Sequence, residues 1–436
     1  MKHSHITLPI DSLKDKIISN FNNFSNFIIK ASPGSGKTTR IPLFLLEILG
    51  NEKIYILEPR RLAAKLAAIQ VANELGEKVG ERVGYIFRYE QAVSEKTQVL
   101  FLTEGTFLKI LAKNRTLVGV KLVILDEFHE RHLSTDAALS FILKIQNEKR
   151  IANLTDLKLM IMSATIDSAY LENFLDLKIT KTMELNLSRF PLKLEYLPNT
   201  TSIIQAPLAK KVKSALENII DQNLLGDILV FFPGMKEIRE AEALLVSLCQ
   251  FHEFNLFVLH GDLTGPEQDQ ILQASNQRKI ILATNIAESS ITIPGIRIVI
   301  DSGLQKESSY NFYSGLQEVK ITKTSKASAI QRGGRANREA AGFCFRIYAQ
   351  IDFDQRPEYS KAEIEKSDLS ELTLLSSHLF GYSLNDLQWL QAPPDDAMIN
   401  ANDLLLTLNA IDKINILLRL ELKYLNTLFI PDWRGF

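Results

Sequence analysis

F-I-I-K-A-S-P-G-S-G-K-T-T-R, residues Phe27 to Arg40, sets an apolar run before a glycine-rich turn and a segment able to continue as a helix. A strand, loop and helix in that order offer an anion a ring of backbone N–H groups with a helix N-terminus behind them. Within G-S-G-K-T-T, Lys37 can reach the β- and γ-phosphates of a nucleotide, and the Thr38 hydroxyl can take a place on Mg²⁺. Gly34, Ser35, Gly36 and Thr39 complete the candidate phosphate cradle. Ala31 stands where the usual pattern has its first glycine. A surface turn that merely contains Gly-Lys-Thr would need neither the strand before it nor the helix after it.

A phosphate loop calls for a second carboxylate, at the end of a neighbouring strand, to hold the metal. K-L-V-I-L-D-E-F-H-E-R-H, Lys121 to His132, supplies one: Asp126 follows an unbroken apolar run, and Glu127 stands beside it to activate water. Two other readings compete. The acids could cap a helix, which explains only one of them. The histidines could bind zinc, but H-E-R-H lacks the H-E-x-x-H spacing that puts both imidazoles on one helical face. Metal and water account for both Asp126 and Glu127.

Further continuous apolar runs follow the same logic. Phe27–Ala31, Ile54–Leu57, Val99–Leu102, Leu122–Asp126, Lys158–Ser163, Asp227–Phe232, Leu256–His260, Lys279–Ala283 and Ile296–Asp301 read as strands buried on both faces of parallel sheets. They alternate with helical-period segments, which predicts doubly wound α/β architecture. Leu187 to Thr200 contains two prolines and no helical period, and reads as a hinge between two such domains. Beyond Tyr348 the pattern changes: Lys361 to Phe380 is helical in period, and Q-A-P-P-D-D breaks the chain before another helix.

The bulk numbers agree. At 436 residues the chain exceeds one ordinary core. Lysine and arginine number 50 against 51 acids, so any nucleic-acid binding must come from a local groove and not from net charge. Cys249 and Cys344 are the only cysteines and lie far apart, which argues against a disulfide scaffold or cysteine zinc site and fits a reducing, cytoplasmic setting. The longest apolar runs fall short of a bilayer span, and the N-terminus lacks signal-peptide order.

With D-E-F-H in place, the chain resembles the DEAH-box helicases of superfamily 2, and most closely the bacterial HrpB branch. Phe128 replaces the alanine of the family name. L-E-P-R-R-L-A-A (Leu57–Ala64), T-E-G (Thr103–Gly105), S-A-T (Ser163–Thr165), L-H-G-D-L (Leu259–Leu263), T-N-I-A-E-S-S-I-T-I (Thr284–Ile293) and Q-R-G-G-R-A-N-R (Gln331–Arg338) resemble the family's motifs in their proper order.

The resemblance implies two tandem RecA-like doubly wound parallel-sheet domains, 1–187 and 188–352. A partial, mostly helical accessory region at 353–415, like the start of a winged helix, and an atypical tail at 416–436 would follow. It implies ATP and Mg²⁺ as cofactors, hydrolysis between the two domains, and a nucleic-acid partner, RNA favoured over DNA. Arg60, Arg61, Thr103, Thr284, Ser289 and Ser290 would grip phosphates and sugars without reading sequence. His129, Ser163 and Thr165 would relay the state of the γ-phosphate. Gln331 would hold the water or γ-phosphate region. Arg335 and Arg338, three apart and on one face if helical, would stabilise transition-state charge. Gln305 to Ser325 would form the family's β-hairpin.

Three departures carry expectations of their own. Asn337 occupies a position usually glycine, tolerable because asparagine accepts left-handed angles. Gln70 and Leu304 stand where the family sandwiches adenine between an arginine and a phenylalanine, so base discrimination should be weak. The tail, Ile414 to Phe436, leaves the family pattern, yet F-I-P-D-W-R-G-F can be encoded by TTC ATC CCC GAT TGG CGA GGA TTT, which from its third base reads H-P-R-L-A-R-I. A reading-frame slip near Leu417 is therefore expected, with a tail never selected to pack. Two rival functions remain at this point: a nucleic-acid-stimulated NTPase without useful unwinding, and a nucleotide-switched binding or scaffold protein.

Overall fold

The structure, a computed structural model, describes residues 7–32, 34–152, 156–165, 168–185, 190–198, 206–260, 270–271, 273, 275–288, 293–311, 314–381 and 383–411. The chain divides into two units: 1–187 with 310–317 and 361–436, and 188–309 with 318–360.

The first unit is built on β1 (Asn26–Ala31), β2 (Lys53–Leu57), β3 (Val83–Phe87), β4 (Glu90–Ala92), β5 (Val99–Leu102), β6 (Val120–Leu125), β7 (Lys158–Ser163) and β8 (Thr180–Leu185). Their order across the sheet is β4-β3-β5-β2-β6-β7-β1-β8. Every pairing is parallel except that of β3 with β4. The continuous apolar runs exist because successive side chains feed two different cores. Ile28, Val123 and Leu125 enter one core with Phe107 and Phe141, whereas Phe27, Ile29, Leu122 and Ile124 enter the other with Ile41 and Phe44. A polar residue at any of these positions would face a packed helix layer.

Parallel order places the carboxyl ends of β5, β2, β6, β7 and β1 side by side along one edge. Thr103, Glu58, Asp126, Ser163 and the glycine loop each follow or end one of those strands. Such an edge is where open α/β sheets bind ligands.

The accessory region expected at 353–415 is not a third body. Residues 353–360 belong to the second unit and the segment from Lys361 onward to the first. Helix Ser370–Phe380 buries Leu372, Leu374, Leu375, Leu379 and Phe380, too much apolar surface to stand alone. It packs on the helices Glu104–Lys113 and Leu133–Ile151, with the Phe380 and Phe141 rings edge-to-face at 5.3 Å and the Arg115 guanidinium 4.9 Å from the Phe380 ring centre. The helical period read from Lys361 is realised only from Ser370. Before it lie a short 3₁₀ turn, Glu363–Glu365, and irregular chain. A helix follows the proline break, at Asp395–Thr407.

The second unit holds β9 (Leu192–Tyr196), β10 (Asp227–Phe231), β11 (Asn255–Leu259), β12 (Lys279–Ala283) and β13 (Ile296–Asp301). The chain continues through β14 (Leu304–Asn311) and β15 (Leu316–Lys323), whose residues 310–317 count with the first unit, and β16 (Gly342–Arg346) in the second. The main sheet runs β11-β12-β10-β13-β16-β9, parallel throughout its pairings, and β14 pairs with β15 as the hairpin read from the sequence. The stretch read as a hinge thus contains an edge strand, β9. Half-exposed and alternating in character, L-K-L-E-Y carries no continuous apolar signal. The tail 412–436, on which the frame-slip expectation falls, lies outside the described residues. Among the described residues no helix is long and apolar enough to cross a membrane.

Candidate active site

The glycine loop opens on β1 and closes on the helix Lys37–Leu46. Gly36 caps that helix at φ +89°, a backbone angle that calls for glycine, and a Cβ there would lie 2.6 Å from Leu8 Cδ1 and push that side chain aside. Gly34 is also left-handed, at φ +82°. The Ser35 carbonyl is tied to the Ile10 N–H at 3.0 Å. The Ser35 hydroxyl is buried with no hydrogen-bond partner among the described residues.

Beneath the loop, Lys37 Nζ lies 2.8 Å from Glu127 Oε1 and 3.8 Å from Asp126 Oδ1. The Thr38 hydroxyl donates to Asp126 Oδ2. Asp126 Oδ1 accepts the Glu127 N–H at 2.8 Å, which folds the chain back directly after β6. Burial opposes the charge of Lys37, but Glu127 and Asp126 hold its ammonium above the usual range. Burial pushes the Asp126 carboxyl up, against the pull of Lys37. On Glu127 burial is outweighed by Lys37 and His129, and its carboxyl falls below the usual range.

Nucleotide phosphate and a divalent ion fit these donors. The orphaned Ser35 hydroxyl and left-handed glycines suit an anion, and Thr38 with Asp126 presents two hard oxygen ligands to Mg²⁺. Glu127 Oε2, buried and with no hydrogen-bond partner among the described residues, faces His129 Nδ1 at 3.5 Å.

The histidines part company here, which disposes of a shared metal. His129 faces Glu127, and His132 Nε2 sits 2.9 Å from Glu130 Oε2. Phe128, the departure from the usual alanine, is fully buried in the first unit's core with the Arg131 guanidinium 5.8 Å from its ring. Glu127 and Arg131 flank it, both at φ +49°, a left-handed angle that costs energy in a residue with a side chain.

Around the same edge, Arg60 precedes the helix Arg61–Glu74 and donates to Glu130 Oε1 at 3.1 Å, while Arg61 is exposed. Thr103 opens the helix Glu104–Lys113, its hydroxyl 2.9 Å from that of Thr106. Ser163 ends β7 with its hydroxyl buried and without a partner among the described residues, and Thr165 is half-buried in the bend beyond. Sequence reasoning passed over Glu58, although it lies in the quoted L-E-P-R-R. Burial and the charges of Asp126, Glu127 and Glu130 push its carboxyl well up.

In the second unit Gln331 lies buried on the helix Lys326–Gly333, which ends before Arg335 and Arg338. The two arginines therefore do not share a helix face. A turn brings them instead to one small cavity with Leu229, Ala287, Ile293 and Ile296. Arg335 Nε donates to the Glu288 carbonyl at 2.9 Å. Arg332, unremarked in sequence, is fully buried. It donates to Glu288 Oε2 at 2.9 Å and, through Nη1, to Asp301 Oδ1 and the Leu304 carbonyl, each at 3.0 Å. Asn337 does not use the left-handed region; its Nδ2 donates to the Phe190 carbonyl at 2.6 Å. Thr284 precedes the short turn Asn285–Ala287, and Ser289 and Ser290 lie outside the described residues. Gln70 is exposed and bonded to Glu74, and Leu304 begins β14.

A profile for the DEAD/DEAH box helicase matches residues 12–174, and one for the Helicase conserved C-terminal domain matches residues 210–340. The chain belongs to the DEAD/DEAH box helicase family. It is 35% identical over 418 residues to the ATP-dependent RNA helicase HrpA of Borreliella burgdorferi, covering 94% of this chain and 49% of that protein. Against the ATP-dependent RNA helicase DHX33 of Drosophila melanogaster it is 34% identical over 416 residues, covering 93% and 59%. The crystal structure of Escherichia coli DEAH/RHA helicase HrpB superposes with a TM-score of 0.87 at 34% identity, over 95% of this chain and 52% of that one. This family member spans about half the length of the relatives it matches. Its two units carry the two matched domains, with tandem RecA-like folds.

Proposed function

We propose that the chain is an ATP-dependent helicase or translocase acting on RNA. The observation that carries this is the cluster of buried Lys37, Asp126 and Glu127 with half-buried Thr38 at the carboxyl edge of the first sheet. Lys37 exchanges its carboxylate partner for nucleotide phosphate, and Glu127 Oε1 is thereby freed to take a proton from water. Thr38 and Asp126 would hold Mg²⁺, which would supply neutralisation of phosphate charge at this site. Gln331, Arg335 and Arg338 steady the water and stabilise the transferred phosphoryl group.

Arg60, Arg61, Thr103, Thr284, Ser289 and Ser290 bind the nucleic-acid backbone, and His129, Ser163 and Thr165 report the state of the γ-phosphate. RNA is preferred to DNA because the relatives' names say RNA. The first domain is 1–187, and the second occupies 188–352. Two free, buried cysteines suit a cytoplasmic protein. The test pairs ATP hydrolysis, with and without single-stranded RNA or DNA, with strand displacement from a tailed duplex. Stimulated hydrolysis with displacement supports the proposal. Stimulation without displacement leaves a nucleic-acid-dependent ATPase, and neither activity leaves a binding protein.

A further inference from the structure

The loop that follows Glu127 ends in an unusual way. Helix Leu133–Ile151 has His132 at its N-cap, which makes no side-chain bond to the first-turn amides. The missing acceptor arrives from 230 positions along the chain. Glu363 Oε2 accepts the Leu133 N–H at 2.7 Å, and the Glu363 N–H donates to the Arg131 carbonyl at 3.0 Å. One residue thus brackets the loop's end on both sides. A carboxylate at a helix N-terminus also meets the positive end of the helix dipole. Arg131 needs such a bracket, because its left-handed angle is held only by what surrounds it.

From that bracket a line of alternating charge runs back to the sheet edge. Glu363 Oε1 is 3.5 Å from His132 Nδ1, His132 Nε2 is 2.9 Å from Glu130 Oε2, and Glu130 Oε1 accepts from Arg60 Nη2 at 3.1 Å. Each carboxylate has a cation on either side or a helix amide in its place. Burial works against charge on Glu130, yet Arg60 and His132 hold its carboxyl well below the usual range. The Glu127 side chain makes its ion pairs at the loop's other end, with Lys37 and His129, although the Glu127 carbonyl accepts the Glu130 N–H at 3.0 Å.

We infer that Glu363 and His132 are positioning residues for Arg60, so that the segment after the second unit's last strand sets how well nucleic acid is gripped. This rests on the reading of Arg60 as a backbone-phosphate contact. Removing Glu363 frees His132 and the loop end, Glu130 then loses its orientation, and Arg60 is no longer aimed. Basal hydrolysis, which uses Lys37, Asp126 and Glu127, is left as it was.

The test uses the full chain, poly(U) as RNA and steady-state ATP hydrolysis, with folding checked by thermal melting. Glu363→Ala and His132→Leu each raise the poly(U) concentration for half-maximal stimulation by roughly fivefold to tenfold, with basal rate and KM for ATP unchanged. The double variant is no worse than the worse single one, since both break a single chain of contacts. His132→Lys, which restores a cation between two carboxylates, recovers most of the loss, a result that mere space-filling would not produce. Wild-type stimulation that the variants share overturns the relay while leaving the proposed function standing. Additive losses, or a fall in basal rate equal to the fall in stimulated rate, also overturn it. A wild type indifferent to both poly(U) and single-stranded DNA overturns the proposed function and the relay together.

Discussion

Lys37 Nζ and Glu127 Oε1 are 2.8 Å apart, with both side chains almost wholly removed from solvent. The lysine that should hold phosphate and the acid that should take a proton are therefore each other's partners. Glu127→Gln keeps the shape of the acid and cannot accept the proton. Turnover should fall by about 10²–10⁴-fold while Mg·ATP binding, followed with a fluorescent analogue, persists. Lys37→Ala should weaken nucleotide binding itself, and it leaves Glu127 and Asp126 buried without their cation. Equal affinity in wild type and Lys37→Ala would refute the phosphate-loop role.

Arg335 and Arg338 line the same small cavity although no helix face joins them. Replacing either with alanine should slow single-turnover hydrolysis by about 10³-fold and change nucleotide affinity much less. A large affinity loss at unaltered turnover would assign them to ground-state binding.

Arg332 has a different part. Fully buried between Glu288 and Asp301, it also binds the carbonyl of Leu304, the first residue of the hairpin strand β14. Arg332→Leu leaves the buried Asp301 and the partly buried Glu288 without their cation and should destabilise the second unit by about 3 kcal/mol in urea unfolding. Nucleotide binding by the first unit should survive in conditions where the second has melted. Unaltered unfolding would mean the acids relax to solvent.

Gln70 and Leu304 offer no stacking plane to a base. Hydrolysis of GTP, CTP and UTP should lie within roughly tenfold of ATP, about 1.4 kcal/mol in transition-state terms. Competition of each nucleotide against ATP measures this. Strict dependence on ATP would point to another pair of residues.

His132 supplies a pH signature. Burial pulls its pKa down, but Glu130 and Glu363 raise it to about 10, with Glu104 and Asp136 also in its field. A raised folded-state pKa stabilises fully below the ordinary histidine value of about 6.5 and is lost as pH climbs toward 10. The stability gap between wild type and His132→Gln, from urea midpoints, should be widest near pH 6 and close by pH 10. A gap constant across that window would show that His132 is neutral in the fold.

Much of this protein was legible locally. G-S-G-K-T-T after an apolar run reads as a phosphate loop, Asp126 and Glu127 stand out by following K-L-V-I-L, and the fold brings the two segments together through Lys37 and Glu127. Interior strands such as β1, β6 and β7 are readable because burial on both faces leaves an unbroken apolar run. Edge strands β8 and β9 lack that signal, since one side has no partner and polar residues are tolerated there. So β9 reads as a hinge. What the tertiary structure alone decided are the pairings between residues far apart in sequence. Glu363 caps a helix begun at Leu133, Arg332 answers Glu288 and Asp301, and Phe380 closes a core against Phe141. A helix period says only that one face wants burial, and a charged side chain says only that it wants a partner. Which face and which partner depend on how the sheets bring distant strand ends together.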